Sequence, residues 1–532
     1  MFSREPVFQS GDPVRIWQKF CGFLDLSLQE FMEIQEGLLM EQIELVVDSP
    51  LGKKIMNGQK PRSLAEFRRL VPLTTYEEYA SYIGDCQEDA LAITPEEWVR
   101  TSGRGGQFKW VPYSKRALEK FADATLTDII LAVTDQKGEV KIREGSRFLF
   151  IPAPRPYFSG ICGWLFTERY GLRVIPPPEL SERLSFQERI ATGFKMALRS
   201  GLDYIGAVGT VLVKTGERFA ERSQGMSLSP SLLHPLVLFR LLRALLRSKM
   251  QRRAMLPKDL WPIKGLGCGG TDADILREKL EYFWGKIPHE TYVSTEGGVM
   301  GMQSWVKKGL MFYPYLNFFE FIPEEEWLKT QENNEYQPAT VLLDEVEVGK
   351  IYEVVITNFY GMPLLRYRLG DLVKIIASEE KETGIKLPQF TFHSRADGLI
   401  DLYSIVRLDE KTVWQALANT NVSYEEWLAR KEYEEDWPVL HLYIEPKQDI
   451  KADVLQHLFH EHLRAISPLY EEVIGEAETN PLRVTLLPRG SFQRYYEEKQ
   501  KAGADLGHLK PPHMCASDAV IADLLRCGGG AN

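Results

Sequence analysis

The stretch Thr101-Ser102-Gly103-Arg104-Gly105-Gly106-Gln107-Phe108-Lys109 sets two hydroxyls at one end, an ammonium at the other and three glycines between them. Glycine lets the backbone turn with φ > 0 and bring its N–H groups up to a ligand without a Cβ clash. The combination suits an oligophosphate. It is neither the Walker pattern, which needs Gly-Lys-Ser/Thr, nor G-x-G-x-x-G. Read alone, it is equally a glycine-rich surface turn. Two further stretches carry oxygen and glycine chemistry. Gly267-Cys268-Gly269-Gly270-Thr271 follows an extended run, and Tyr292-Val293-Ser294-Thr295-Glu296-Gly297-Gly298 ends another. A hydroxyl pair before a carboxylate supplies the hard oxygen ligands that a Mg²⁺–phosphate takes. Asp371, just after Gly370, is placed to accept from two sugar hydroxyls, or it closes an Asx-type turn. His457, His460, Glu461 and His462 lack the H-E-x-x-H spacing and read as a polar helix surface.

The elements that must position these residues are legible in part. Residues 14–90 read as helices joined by short loops, a scaffold, with capping-box starts at Ser27–Glu30 and Thr74–Glu77. Ser114 caps a helix whose Leu118, Phe121, Ala122, Thr125 and Ile129 share one face. That helix follows and braces the glycine loop. Phe148–Ile151 is a buried strand, and the stiff run Pro152–Gly160 after it either lines a pocket or turns the chain. Ser185–Glu188 is another capping box. Over 228–253, Leu236, Phe239, Leu242, Leu245 and Leu246 alternate with Arg240, Arg243, Arg247 and Lys249. Such a helix can bind a membrane surface or a partner. Pro230 and Pro235 favour instead a core-packed helix with a solvated basic face.

Phe392–Gly398 reads as a joint between domains, dividing the chain into 1–397 and 398–532. The second part is an α+β module: helix Glu410–Leu417, strand Val439–Glu445, helix Ala452–Ile466, strand Arg483–Leu487, a last helix from Ser491, and an unstructured tail Cys527–Asn532. The fold class is α/β, a large N-terminal domain of β-sheets flanked by helices plus this small C-terminal domain.

The whole chain has 532 residues, 44% hydrophobic and 26% charged, as in an ordinary soluble globular protein. A net charge of −10 argues against nucleic acid as a partner. Six cysteines without C-x-x-C suggest neither a disulfide framework nor zinc. The N-terminus lacks the apolar stretch of a signal peptide. No run approaches the ~18 apolar residues of a membrane span. The expectation is a cytoplasmic enzyme.

Taken together, the motifs resemble the adenylate-forming superfamily of acyl-CoA synthetases, adenylation domains and luciferases. Within it, the chain is most similar to the auxin-responsive Gretchen Hagen acyl-acid amido synthetases and their bacterial relatives. Thr101–Lys109 stands where the superfamily has T-S-G-T-T-G-K-P-K, and Gly269-Gly270-Thr271 resembles its adenine-contacting loop. Tyr292–Glu296 resembles Y-G-S-S-E, and Arg366–Asp371 resembles R-Y-R-x-G-D. Two stretches point to the amido synthetase branch. Phe318–Pro323 is similar to Y-F-E-F-L-P, and Gly490-Ser491-Phe492, Gly503-Ala504-Asp505 and Leu509-Lys510-Pro511-Pro512-His513 are similar to the branch's ending. The chain departs from the pattern at Arg104 and Gly105 (usually hydroxyl residues), Gln107 (commonly Lys) and His513 (usually Arg). Arg104 offers charge where the hydroxyls are missing.

The resemblance implies an ATP-dependent, AMP-forming ligase that adenylates a small carboxylic acid and passes the acyl group to an amine or amino acid. It implies ATP and Mg²⁺ as cofactors. Thr101, Ser102, the backbone of Gly103, Arg104, Gly105 and Gly106, and Lys109 would hold the phosphates. Glu296 would hold Mg²⁺. Gly269, Gly270, Thr271 and Tyr292 would hold the adenine, Asp371 with Arg395 would take the ribose, and Thr295 would also belong to the nucleotide site. Lys510, carried by a small mobile domain, would neutralise the approach of carboxylate to phosphate. An acyl-CoA or carrier-protein ligase shares the first step, and a non-catalytic nucleotide-binding protein shares only the fold.

Overall fold

The computed structural model describes residues 4–8, 11–101, 109–223, 234–269, 273–333, 336–396, 400–402, 406–434, 437–467, 470–471, 480–501, 513–516 and 518–528. The chain divides into two compact units. The first holds 1–103, 108–369 and 373–392, and the second holds 370–372 and 393–532.

In the first unit a hairpin of β1 (Glu97–Arg100) and β2 (Trp110–Tyr113) precedes the main sheet. That sheet comprises β3 (Arg147–Phe150), β4 (Arg173–Ile175), β5 (Tyr204–Val208), β6 (Gly265–Gly269) and β7 (His289–Ser294), followed by β8 (Gly298–Gln303) and β9 (Leu310–Phe312). It is completed by β10 (Asn317–Pro323), β11 (Ile351–Asn358), β12 (Tyr367–Ala377) and β13 (Gln389–Arg395). The strand order is β10-β11-β12-β13-β9-β8-β7-β6-β5-β3-β4. Strands β4, β3, β5, β6 and β7 run parallel, and β7 onward through β8 and β9 the pairing is antiparallel.

Local signals start the helices where the spacing predicts. Ser27 caps Leu28–Val46 with a full capping box, Ser185 does the same for Phe186–Ser200, and Ser114 caps Lys115–Val133. The last of these buries Leu118, Phe121, Ala122, Thr125 and Ile129 as its periodicity predicts. One start is displaced. The side-chain bonds at this start join Thr75 and Glu78, with Thr75 N–H and Oγ1 both donating to Glu78 Oε2 at 2.7 and 2.9 Å. Thr74 is buried instead and bridges to the start of β12, its N–H donating to Arg366 O at 2.9 Å. A tertiary strand contact thus claims the residue that the local pattern assigns to the cap.

The helix Pro235–Met250 corrects the sequence reading more deeply. It packs through Val237, Leu241, Ala244 and Ser248. Leu236, Phe239, Leu242 and Leu246, expected in the core, are exposed. No helix among the described residues is long and apolar enough to cross a membrane.

The second unit is built on β16 (Tyr424–Glu434), β17 (Trp437–Pro446) and β18 (Leu482–Leu486), preceded by a small hairpin of β14 (Ile400–Leu402) and β15 (Val406–Leu408). Alternation sorts its side chains by face. Trp427, Ala429, Leu440, Leu442 and Ile444 pack with Val413, Leu417, Leu455, Phe459 and Leu463 of helices Glu410–Asn419 and Ala452–Ile466. Leu428 and Tyr443 face the other way, onto Phe492, Tyr495, Ile521 and Leu524 of helices Ser491–Lys501 and Asp518–Cys527. Both β16 and the helix Asp518–Cys527 escape the sequence reading. Cys527, assigned there to the tail, is the buried end of that helix.

Candidate functional site

Ligands of open α/β sheets bind beyond the carboxyl ends of the parallel strands. Strands β6 and β7 are parallel neighbours, with Gly269, at the carboxyl end of β6, opposite Thr291. Gly270 and Thr271 lie outside the described residues. Tyr292 is buried, its ring 5.7 Å from Phe390 and 6.4 Å from Phe392. It therefore serves partly as a core residue.

The turn Ser294–Gly298 carries Glu296, and its backbone is held from several sides. Ser294 Oγ accepts from Gly297 N–H at 3.0 Å. Tyr113 Oη donates to Thr295 O at 2.7 Å, and Asn358 Nδ2 donates to Glu296 O at 2.9 Å. Asn317 Nδ2 donates to Gly297 O at 2.7 Å, and Asn317 Oδ1 accepts from Asn358 at 2.8 Å. Gly298 has φ of +68°, a conformation glycine adopts without strain. Behind Asn317 stands Gln35, fully buried on the helix Leu28–Val46. Its amide donates to Pro314 O and Asn317 O at 2.6 and 2.8 Å and accepts from Phe319 N–H at 3.0 Å. The N-terminal helices, scaffold by sequence, thus reach the acidic turn through one buried amide relay. Gln35, Asn317, Asn358 and Tyr113 were not found from the sequence. The one available signal was glutamine, at Gln35 and again at Gln42, among the apolar residues of one helix face.

Thr101 and Lys109 close the stem of the glycine hairpin. Thr101 N–H donates to Lys109 O at 2.9 Å, and Lys109 N–H donates to Thr101 Oγ1 at 3.1 Å. The residues between them, Ser102, Gly103, Arg104, Gly105, Gly106 and Gln107 included, lie outside the described residues. The loop after β3 docks on this stem, since Arg100 N–H donates to Pro156 O at 2.9 Å and the Arg100 guanidinium lies 4.4 Å from the Tyr157 ring centre. Lys109 Nζ donates to Tyr367 Oη at 3.3 Å and lies 5.1 Å from the Tyr76 ring centre. Among the described residues, no carboxylate pairs with it. Burial pushes the Tyr76 and Tyr113 hydroxyls above their ordinary pKa, and the Glu296 carboxylate adds to both shifts. The Lys109 ammonium thus lies against the Tyr76 ring, and the Glu296 carboxylate acts electrostatically on the hydroxyl of the same tyrosine.

Other motif residues hold the fold. Arg366 and Glu320 are buried and paired, with Arg366 Nε and Nη2 each donating to a Glu320 oxygen at 2.9 Å. Arg366 Nη1 donates to the carbonyls of Arg68 and Val71, both at 2.7 Å. Arg368 pairs likewise with Glu353 at 2.6 and 3.0 Å. Asp371 is buried on β12, and Ala396 N–H donates to Gly370 O at 2.8 Å, which sets Asp371 and Arg395 on adjoining backbone. Lys510 lies outside the described residues. His513, three residues on, is fixed: Nδ1 meets Glu410 Oε1 at 2.6 Å, Nε2 meets Glu426 Oε1 at 2.9 Å, and the ring stacks on Trp427 at 4.6 Å. Burial pushes the imidazole pKa down, but the two carboxylates outweigh it and raise it to about 9.

Three family domain models match the chain in order: the GH3 family N-terminal domain over 21–155, the central domain over 310–395 and the C-terminal domain over 410–519. Jasmonoyl–L-amino acid synthetase GH3.5 of Oryza sativa subsp. japonica is 39% identical over 22% of this chain and 22% of its own length. Indole-3-acetic acid-amido synthetase GH3.3 of Arabidopsis thaliana is 27% identical over 46% of this chain and 42% of its own. The matched stretches thus span less than half of either relative. Among solved structures, the GH3.15 acyl acid amido synthetase in complex with 2,4-DB aligns with a TM-score of 0.69 at 17% identity, covering 99% of this chain and 97% of that one. A 2-hydroxyisobutyryl-CoA ligase in its postadenylation state aligns with a TM-score of 0.63 at 12% identity over 95% and 93%. The fold is thus shared with these two structures, and with all three domain models matched in order the chain belongs to the GH3 family.

Proposed function

We propose that the protein is an ATP-dependent acyl-acid amido synthetase. The reading rests on one observation above the others: Lys109, without a carboxylate partner among the described residues, lies against the Tyr76 ring, and Glu296, on a turn pinned by buried amides, acts electrostatically on the hydroxyl of that tyrosine. The relatives that the chain matches, a jasmonoyl–L-amino acid synthetase and an indole-3-acetic acid-amido synthetase, support the same reading.

In the first step a carboxylate oxygen attacks the α-phosphorus of ATP, giving an acyl adenylate and pyrophosphate. Little covalent help is needed at phosphorus, so the protein's contribution is positioning and charge stabilisation. Lys109, Thr101, Ser102 and the N–H groups of 103–106 take the β,γ-phosphates. Gly269–Thr271 and Tyr292 take the adenine, with Thr295 beside them, and Asp371 and Arg395 take the ribose. One carboxylate beside substrate phosphates is a usual donor set for Mg²⁺, and Glu296 fits it. The ion, when bound, screens the phosphate charge. Lys510, on the small domain, offsets the repulsion between carboxylate and phosphate. In the second step an amine attacks the activated carbonyl, releasing AMP and a proton and forming the amide.

The test is ATP–pyrophosphate exchange over a panel of small carboxylic acids, followed by product analysis with amines, amino acids and CoA. Exchange with at least one acid and an amide product are expected. A thioester would place the protein with the CoA ligases, and no exchange with any acid would make it a non-catalytic nucleotide binder. Glu296→Gln should depress exchange strongly with the fold intact. Lys510→Ala should lose on the order of 10²–10³ in exchange yet retain amide formation from a supplied acyl adenylate. Equal loss in both half-reactions would remove the charge role assigned to Lys510.

A further inference from the structure

The helix Pro235–Met250 is apolar on two opposite faces. At 3.6 residues per turn, Val237, Leu241, Ala244 and Ser248 fall on one side, and these are buried. Leu236, Phe239, Leu242, Leu246 and Met250 fall on the side directly opposite and are between 55% and 84% exposed. A helix apolar all round is ordinarily a buried one. This one is packed through half its girth only.

Charge borders the exposed stripe. Arg243 and Arg247 run along one edge and Lys249 stands at the other, all exposed. Two nearby arginines are engaged elsewhere. Arg240 donates to the carbonyls of Leu198 and Arg199 at 2.5 and 2.8 Å, and Arg253 makes a fork with Asp259 at 2.7 and 2.8 Å. No acidic residue lies between Glu221 and Asp259, in a chain whose net charge is −10. The stripe is thus a local inversion of the protein's charge. A two-fold contact between copies through this face would set the same cations against one another. An apolar stripe rimmed by Arg and Lys matches a surface with anionic headgroups above hydrocarbon, with the helix lying in the plane.

We propose that the helix Pro235–Met250 docks the protein on an anionic lipid surface, inserting Phe239, Leu242 and Leu246 while Arg243, Arg247 and Lys249 meet the headgroups. The docking is peripheral, since no described helix is suited to crossing.

The test is sedimentation of the full chain with vesicles of phosphatidylcholine alone and of phosphatidylcholine with phosphatidylserine. Association is expected only with the second, and it should weaken with added salt. Replacing Arg243, Arg247 and Lys249 together with Gln should lower the partition coefficient by about a hundredfold. The variant Phe239→Ser/Leu242→Ser/Leu246→Ser should abolish association while circular dichroism and ATP–pyrophosphate exchange stay unchanged, because these side chains are already in water. Three results would overturn the proposal: no association with the anionic vesicles, association undiminished in both variants, or self-association in the ultracentrifuge that the serine variant removes without any vesicle binding.

Discussion

Two of the family's motif cations, Arg366 in the first unit and His513 in the second, are both held by carboxylates, and the difference between them is chemical. Arg366 meets Glu320 in a buried fork and spends its remaining donors on two carbonyls and the Thr340 hydroxyl. A guanidinium keeps its charge at every pH a folded protein meets. His513 lies between Glu410 and Glu426 with its ring against Trp427. Its charge is conditional, maintained by those two carboxylates against the pull of burial. The Arg366 clamp is therefore permanent, whereas the His513 clamp is released by base. The relay of Gln35, Asn317 and Asn358 is a third way to fix a motif, with no charge at all.

The largest effect should come from breaking the permanent clamp. Glu320→Ala leaves the Arg366 guanidinium buried without its carboxylate and should cost about 3–5 kcal/mol in urea unfolding. A loss below about 1 kcal/mol would mean that water or a neighbour replaces Glu320, and the contrast with His513 would collapse. Next comes the uncharged relay. Gln35→Leu strips partners from two carbonyls and one N–H, and should cost at least about 2 kcal/mol. Exchange activity should fall with it if the relay positions Glu296, and a stability loss with unchanged exchange would confine Gln35 to the scaffold.

The smallest and most specific effect concerns pH. His513 has a folded pKa of about 9 against an ordinary value of 6.5. Its stabilisation is fully present below pH 6.5, declines as pH rises through that window and is gone above about 9. His513→Gln should cost about 1–2 kcal/mol at pH 6 and nothing at pH 9.5, so the wild-type and variant melting curves converge. Parallel curves across that range would show the imidazole to be neutral throughout. Glu320→Ala should show no such convergence.

Much of this protein was legible from the chain. Helix starts depend on contacts within four residues, so Ser27, Ser114 and Ser185 announce themselves. The order of short motifs from Thr101 to His513 fixed the family because each motif is contiguous. What stayed hidden depends on neighbours far along the chain. The helix register hints that Gln35 is buried, but its role appears only when Asn317 and Phe319 arrive beside it. Thr74 and Thr75 offer the same hydroxyl to a cap, and only the strand at Arg366 decides which of them goes inside. Periodicity shows that the helix Pro235–Met250 has apolar faces but not which one meets the core, because that choice belongs to the packing partners. Motif resemblance singled out Glu296 and left Glu320 without a role, which only the tertiary structure supplies. Both are acids in family stretches, yet Glu320 is buried against a guanidinium while Glu296 stands on a turn whose backbone the tertiary structure holds in place.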